Sequence, residues 1–301
     1  TTTRSLPMPP SPVPNKRSIN WKKAYFDHLL ACEQAKARQI KQEALVGTKY
    51  LYRYRPLSGY GLDELINGRV YMAKPEQLND PYECKLLLDQ TGKFPLKLGS
   101  AWSALHHCEI ETRIASFCET PKRLTMWAHY ANRPKGCCLE YKTADLLKHE
   151  PIIRGLHPVV YEPSLFDANS ALNGPPENLG PILLRSACHK LTSWRYEREW
   201  RLIDLRLKSP GESAWPGIPL QTWAPNFDID QQSQTIGFED RGNTFVELPV
   251  PSRIILLGGQ LDPDSERLIR GIGRLREVPI ALAKLIPDAI SGAELEILNE
   301  P

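Results

Sequence analysis

The segment YEREWRL, residues 196–202, alternates carboxylates and guanidiniums. On a strand, Glu197, Glu199 and Arg201 share one side, while Arg198, Trp200 and Leu202 share the other. Trp200 and Leu202 suit a core, which turns the acidic side toward solvent or a cleft. A fixed carboxylate at Glu199 can accept hydrogen bonds from a ribose hydroxyl and stabilise positive charge developing at an anomeric carbon. The same residues can equally form cross-strand ion pairs on a wet sheet face.

A second basic and aromatic segment, KYLYRYR, reads as a strand. Tyr50, Tyr52 and Tyr54 fall on one side, and Arg53 and Arg55 on the other. Two such arginines can clamp a pyrophosphate with forked hydrogen bonds, or pair with an acidic strand such as 197–201. The tyrosines can stack on an aromatic ring or fill the core. Trp127 and Tyr130, three apart in MWAHYA, share a helix face that can line a base pocket or pack on a sheet; His129 lies off it. In PEQLNDPYE, Asn79 and Asp80 form a turn. Asp80 with Glu83 is also a conceivable carboxylate pair for metal-dependent hydrolysis. His106, His107, Cys108 and Glu109 are adjacent and diverge, unlike zinc ligands two to four apart, so no metal site is predicted.

The elements that must position these residues follow from periodicity. A helix is predicted over 20–45, capped by Asn20, with Trp21, Tyr25, Leu29 and Cys32 on one side. The body, 49–301, alternates strands and helices. Strands are predicted at 114–119, 136–142, 157–162 and, at length, 194–207, and helices at 61–67, 124–131, 143–149 and 180–193. Asn67-Gly68 reads as a helix C-cap. Residues 208–245 read as a loop-rich insertion. Near the end, strand 253–258, a helix capped by Asp262 and strand 278–286 form a right-handed unit, with Leu268, Ile272 and Leu275 on the helix's apolar side. The expected fold is α+β, a mixed sheet flanked by helices, in three parts: a disordered Pro-rich tail (1–19), a flanking helix (20–48) and one domain (49–301).

Composition narrows the function classes. A net charge of +3 spread along 301 residues does not make a nucleic-acid surface. Seven cysteines, an odd number without CxxC, read as free thiols in a reducing compartment, with buried thiols outweighing a catalytic one. No apolar run approaches the roughly 20 residues of a membrane span, and no signal-peptide core opens the chain. The expectation is a cytoplasmic protein, with a specialised secretion route or a partner reading the tail left open.

Four segments resemble the bacterial family named domain of unknown function 2971: LYRYRPL with VYMAKPEQLNDPYE, then ASFCETPKRLTMWAHYANRPKGCCLEY, then HKLTSWRYEREWRLI, then IILLGGQLDPDSERLI. They span about residues 50–285. The order of strands also resembles ADP-ribosyltransferases, which split NAD between nicotinamide and ribose. In that fold an early strand holds the dinucleotide through His, Arg or Tyr, a middle strand supplies a hydroxyl or aromatic group, and a late strand supplies a Glu. Here the early strand is LYRYR, where Arg53, Tyr54 and Arg55 compete for the place; the middle one is IASFC with Ser116; the late one carries Glu199. The resemblance implies NAD as substrate, with Arg53 or Arg55 on its phosphates, Tyr54 and Tyr130 lining the nicotinamide pocket, Glu199 supporting cleavage of the glycosidic bond, and a protein or nucleic-acid acceptor. Two other readings stand beside it: a non-enzymatic module of a bacterial defence or effector system, and a metal-dependent nuclease or phosphodiesterase.

Overall fold

The computed structural model describes residues 21–87, 109–132, 135–172, 179–208, 235–285 and 295–299. The tail at 1–19, the residues His106, His107 and Cys108, and most of the insertion (209–234) lie outside the described residues.

The first strands are β1 (Tyr50–Arg55), β2 (Arg69–Tyr71), β3 (Leu86–Leu87), β4 (Glu109–Cys118) and β5 (Cys137–Lys142). They are followed by β6 (Leu156–Pro158), β7 (Val160–Glu162), β8 (Phe166–Asp167), β9 (His189–Leu191) and β10 (Glu199–Lys208). The last are β11 (Phe238–Asp240), β12 (Asn243–Glu247), β13 (Arg253–Leu257), β14 (Ile280–Leu285) and β15 (Leu295–Asn299). Eight of these make the main sheet, in the order β15-β14-β13-β5-β1-β4-β10-β6. The β13–β14 pair is parallel and the others are antiparallel, so the sheet is mixed, as expected.

Helices cover both faces. Paired Cα positions fix the sides: Tyr52, Cys118 and Glu199 are in register and share the front face, while Arg53, Phe117 and Trp200 share the back. On the back, Leu51, Phe117, Trp200, Leu202 and Leu256 pack with Leu45 of α2 (Gln34–Val46) and Leu65 of α3 (Tyr60–Asn67). On the front, Ile114, Ile203 and Leu205 pack with Tyr25 and Phe26 of α1 (Trp21–Leu30). Tyr52, Tyr54 and Cys118 pack there with Met126 and Trp127 of α4 (Leu124–Tyr130).

The structure departs from the sequence expectation at identifiable bonds. The single helix over 20–45 is two helices, because Cys32 adopts φ +59°. The Glu33 amide reaches back to the His28 carbonyl at 2.8 Å and the Cys32 amide to Leu29 at 3.0 Å, a helix stop usually signalled by glycine. The long strand over 194–207 begins only at Glu199; Thr192–Glu197 is a 3-10 turn that ends on Arg198 at φ +46°. The helix expected over 180–193 (α5, Leu179–Ala187) ends earlier and leads into β9. Within 235–247, part of the expected insertion, β11 and β12 form a hairpin that pairs with β2. In α6 (Pro263–Leu275) the buried side is Ile269, Ile272 and Gly273, while Leu268 and Leu275 are exposed. The Asp262 cap holds, its carboxylate accepting from the Ser265 amide at 2.9 Å.

Candidate functional site

The site is a fork in the sheet. β4 pairs with β10 along its whole length, but with β1 only at Tyr52↔Cys118. Beyond that point β1 stays with β5, and the place beside β4 is taken by Ala73, bridged to Ile114 by two 2.8 Å hydrogen bonds. The parting is built into β1. Its Arg53 Nη1 donates to the Ser116 carbonyl across the gap at 2.7 Å, and Pro56, which has no N–H, follows its last residue. Two glycines let neighbouring backbone close in: a Cβ on Gly61 would lie 2.1 Å from the Pro56 oxygen, and one on Gly136 2.1 Å from the Arg55 oxygen. A cavity of about 620 Å³ occupies the fork, within the range of small-molecule sites.

One end is acidic and on the front face. Arg201, wholly buried, donates to both oxygens of Glu199 at 2.9 and 3.1 Å and to Glu83 at 2.8 Å. Lys190 lies 3.1 Å from Glu199, 3.2 Å from Glu83 and 2.5 Å from Glu197. Tyr130 donates its hydroxyl to Glu197 and accepts from the Asn79 amide at 2.7 Å. Three carboxylates thus face two cations, leaving one surplus negative charge when all are ionised.

The neighbouring carboxylates titrate in opposite directions. Burial disfavours the Glu199 charge, but Arg201 and then Lys190 outweigh it, with help from the Ser116 hydroxyl, and hold the carboxyl at about 2. For Glu197, burial and the negative charge of Glu199 outweigh Lys190, and its pKa is raised. Lys190 keeps its proton beyond the ordinary lysine range: burial opposes the charge, but Glu199, Glu83 and Glu197 prevail over it and over Arg201.

The other end is basic and aromatic. Arg53 and Arg55 emerge from the back face, opposite Glu199, and line the same cavity because the fork joins the two faces. Both bind Glu64 of α3: Arg53 through Nε at 2.7 Å and Nη2 at 3.2 Å, Arg55 through Nε. Two guanidiniums on one carboxylate leave a surplus positive charge. Tyr60 and Tyr71 stack on each other in the cavity wall.

The residues predicted from sequence divide accordingly. Arg53, Tyr54, Arg55, Ser116, Tyr130 and Glu199 line the cavity. The Arg53 guanidinium is 2% exposed, occupied by Glu64 and Ser116, and covered by the Phe117 ring at 4.9 Å, so it holds the fork open. Its partner is Glu64 rather than strand 197–201, because β4 separates β1 from β10 and the arginines face the opposite side. Tyr54 donates to the Thr120 carbonyl at 3.1 Å. Trp127 is a correction: it is fully buried, donates to the Pro121 carbonyl at 2.8 Å and packs edge-on to Tyr54, away from the cavity. The helix face continues through His129 and Tyr130 instead. Asp80 caps the Tyr82 amide at 2.9 Å while Glu83 is bound by Arg201 and Lys190, so the two carboxylates do not converge as hydrolytic chemistry requires. Among the described residues, no group of three His, Cys, Asp or Glu side chains could hold a metal ion. The thiols of Cys84, Cys118, Cys137, Cys138 and Cys188 are pushed up by burial, which leaves them protonated. Among the described residues, no helix is long and apolar enough to cross a membrane.

Sequence reasoning missed Lys190, Glu83 as a partner of Arg201, Tyr60 and Tyr71, and it set His129 off the helix face that reaches the cavity, whereas His129 lines it. The available signal lay in the segments themselves. NDPYE supplies Glu83, MWAHYA supplies Tyr130, and HKLTSWRYEREWR supplies Lys190, Glu197, Glu199 and Arg201, all to one cluster. IILLGGQLDPDSERLI contributes nothing to the cavity wall.

No curated protein and no solved structure matches the chain. One family model does, over a shorter stretch than the resembling segments cover. It matches residues 126–202, the stretch with Tyr130, Lys190, Glu197, Glu199 and Arg201, and over this segment the chain is similar to the family described as Protein of unknown function (DUF2971).

Proposed function

We propose that the forked cavity binds NAD, cleaves the bond between nicotinamide and ribose, and transfers ADP-ribose to an acceptor. The observation that carries this reading is the polarity of the cavity. Surplus positive charge at Arg53, Arg55 and Glu64 lies at one end, and surplus negative charge at Glu83, Glu197, Glu199, Lys190 and Arg201 at the other. NAD has the complementary pattern, an anionic pyrophosphate and a cationic pyridinium ring. The early, middle and late strands β1, β4 and β10 are neighbours in the sheet, and each lines the same cavity.

In this reading Arg55, whose side chain is 23% exposed, contacts the pyrophosphate, while Arg53 holds the fork. Tyr54 and Tyr130 border the nicotinamide, and Ser116 orients Glu199. As the carbon–nitrogen bond breaks, its electron pair passes to the ring nitrogen and positive charge develops on the ribose carbon. Glu199, kept ionised by Arg201, and its cluster stabilise that charge. The acceptor's lone pair then forms the new bond, and Glu197, the carboxylate of raised pKa, takes the acceptor's proton.

Incubation with NAD labelled in the nicotinamide ring tests the reading. The native protein releases nicotinamide, and Glu199→Gln releases it at least about 100-fold more slowly. A binding module without catalysis would be stabilised thermally by NAD, with the effect lost in Arg55→Ala, yet release no nicotinamide. Equal release by native protein and Glu199→Gln would also defeat the catalytic reading.

A further inference from the structure

We infer that Tyr60 and Tyr71 form a stacking ledge for the purine base of the ligand, a subsite separate from the carboxylate cluster; this rests on the nucleotide reading of the cavity. The two rings lie face to face, with centroids 4.2 Å apart and planes 7° from parallel. Phe245 braces both from the edge, at 5.8 and 5.9 Å, and Arg69 covers Phe245 at 4.6 Å. Tyr71 is further fixed by its hydroxyl, which donates to Gln77 at 2.7 Å; the same Gln77 oxygen accepts from the Lys74 amide at 2.8 Å. Tyr60 is 45% exposed although it is held in this stack and lines the cavity. A ring supported on one face and open on the other suits an aromatic ligand, and every nucleobase has a matching face.

Position selects which end of the ligand lands there. Glu199 is in register with Cys118, whereas the β2 segment reaches β4 at Ala73↔Ile114. Four strand residues, roughly 14 Å, separate those two points, and Tyr60 opens α3, the helix whose Glu64 holds Arg53 and Arg55, so the ledge adjoins the basic end of the cavity. A cationic ring is drawn to the acidic end. A neutral purine carried on the far side of the pyrophosphate falls to the tyrosines, with Arg55 between.

Titration calorimetry with AMP, nicotinamide mononucleotide and NAD on the full chain tests the ledge. Tyr60→Ala is expected to weaken AMP and NAD by roughly ten-fold or more while leaving nicotinamide mononucleotide unchanged; Tyr60→Phe, which keeps the ring, retains AMP binding. Thermal melts check that both variants fold. Unchanged AMP affinity in Tyr60→Ala, equal loss of both mononucleotides, or no AMP binding by the native protein overturns the ledge. Nicotinamide release is read separately. Release without the Tyr60 effect sinks the ledge alone, while AMP binding with the Tyr60 effect and no release sinks the catalytic reading alone.

Discussion

Glu197 and Glu199 sit two residues apart, share Lys190 and differ in protonation chemistry because only Glu199 meets Arg201. The consequences for stability have opposite signs. Glu199, depressed to about 2, contributes stability that is present above its unfolded pKa near 4.5 and lost as pH falls toward 2. Glu197, raised, contributes stability present below its unfolded value and lost as pH rises through the folded one. Glu199→Gln is therefore expected to flatten the fall of the urea midpoint between about pH 4.5 and 2, whereas Glu197→Gln is expected to leave that fall in place. Glu199→Ala is harsher, because Arg201 and Lys190 lose a buried counter-charge; a loss of about 3–5 kcal/mol is expected by urea melts. Ligand binding reads the same asymmetry. Affinity for nicotinamide mononucleotide, which carries the cationic ring, is expected to rise with pH as Glu197 ionises, and Glu197→Gln to abolish that rise in calorimetric titrations. Residue types and strand alternation made Glu199 legible from sequence, while Ser116 enters only through the resemblance of its strand. Lys190 was not legible, because the 3-10 turn at Thr192–Glu197 that folds it back onto Glu197 and Glu199 reads as strand from sequence, and Glu83 was not, because it meets Arg201 across 118 residues of chain.

The fork is a property of elements. β1 was legible as a strand with two arginines on one side, and that alternation holds. Their partner was not, because alternation assigns a face and says nothing about which neighbour covers it; Glu64 arrives from α3, eleven residues after Arg53. Trp127 shows the same limit, since a helix face of about 100° includes both wall and core. The parting of β1 from β4 depends on close backbone contact at Gly136, where a methyl group would strike the Arg55 carbonyl at 2.1 Å. Gly136→Ala is accordingly expected to displace the end of β1, cost about 1–3 kcal/mol in denaturant melts, and weaken NAD binding more than a surface Gly271→Ala, whose added methyl meets nothing within 4 Å.

At the scale of the molecule, the helices before residue 49 clamp both faces of the sheet. Trp21 packs on Trp200 with centroids 5.7 Å apart, directly behind the strand that carries Glu199 and Arg201. Phe26 is wholly buried against the front face, and the Tyr25 hydroxyl pairs with His157 Nδ1 at 2.7 Å on β6. Leu45 closes the back. Lys41, lowered to about 8 mainly by burial, donates to the Ile153 and Arg154 carbonyls at 2.8 and 3.2 Å. The sequence foretold a helix here but not this double clamp. Its stop at Cys32 has no glycine to announce it, so nothing in the residue pattern marks where α1 ends and α2 begins. Each large apolar side chain so buried is worth about 1.5–3 kcal/mol, and a domain's whole margin is about 5–15 kcal/mol. Removing α1 and α2 together therefore exceeds what the rest can spare. A chain beginning at Lys49 is expected to lose its cooperative urea transition and its near-ultraviolet circular dichroism, whereas Phe26→Ala alone retains a transition shifted by about 3–5 kcal/mol. A cooperative melt from the shortened chain, with AMP affinity intact, would show instead that β1, β4 and β10 hold the fork without the clamp.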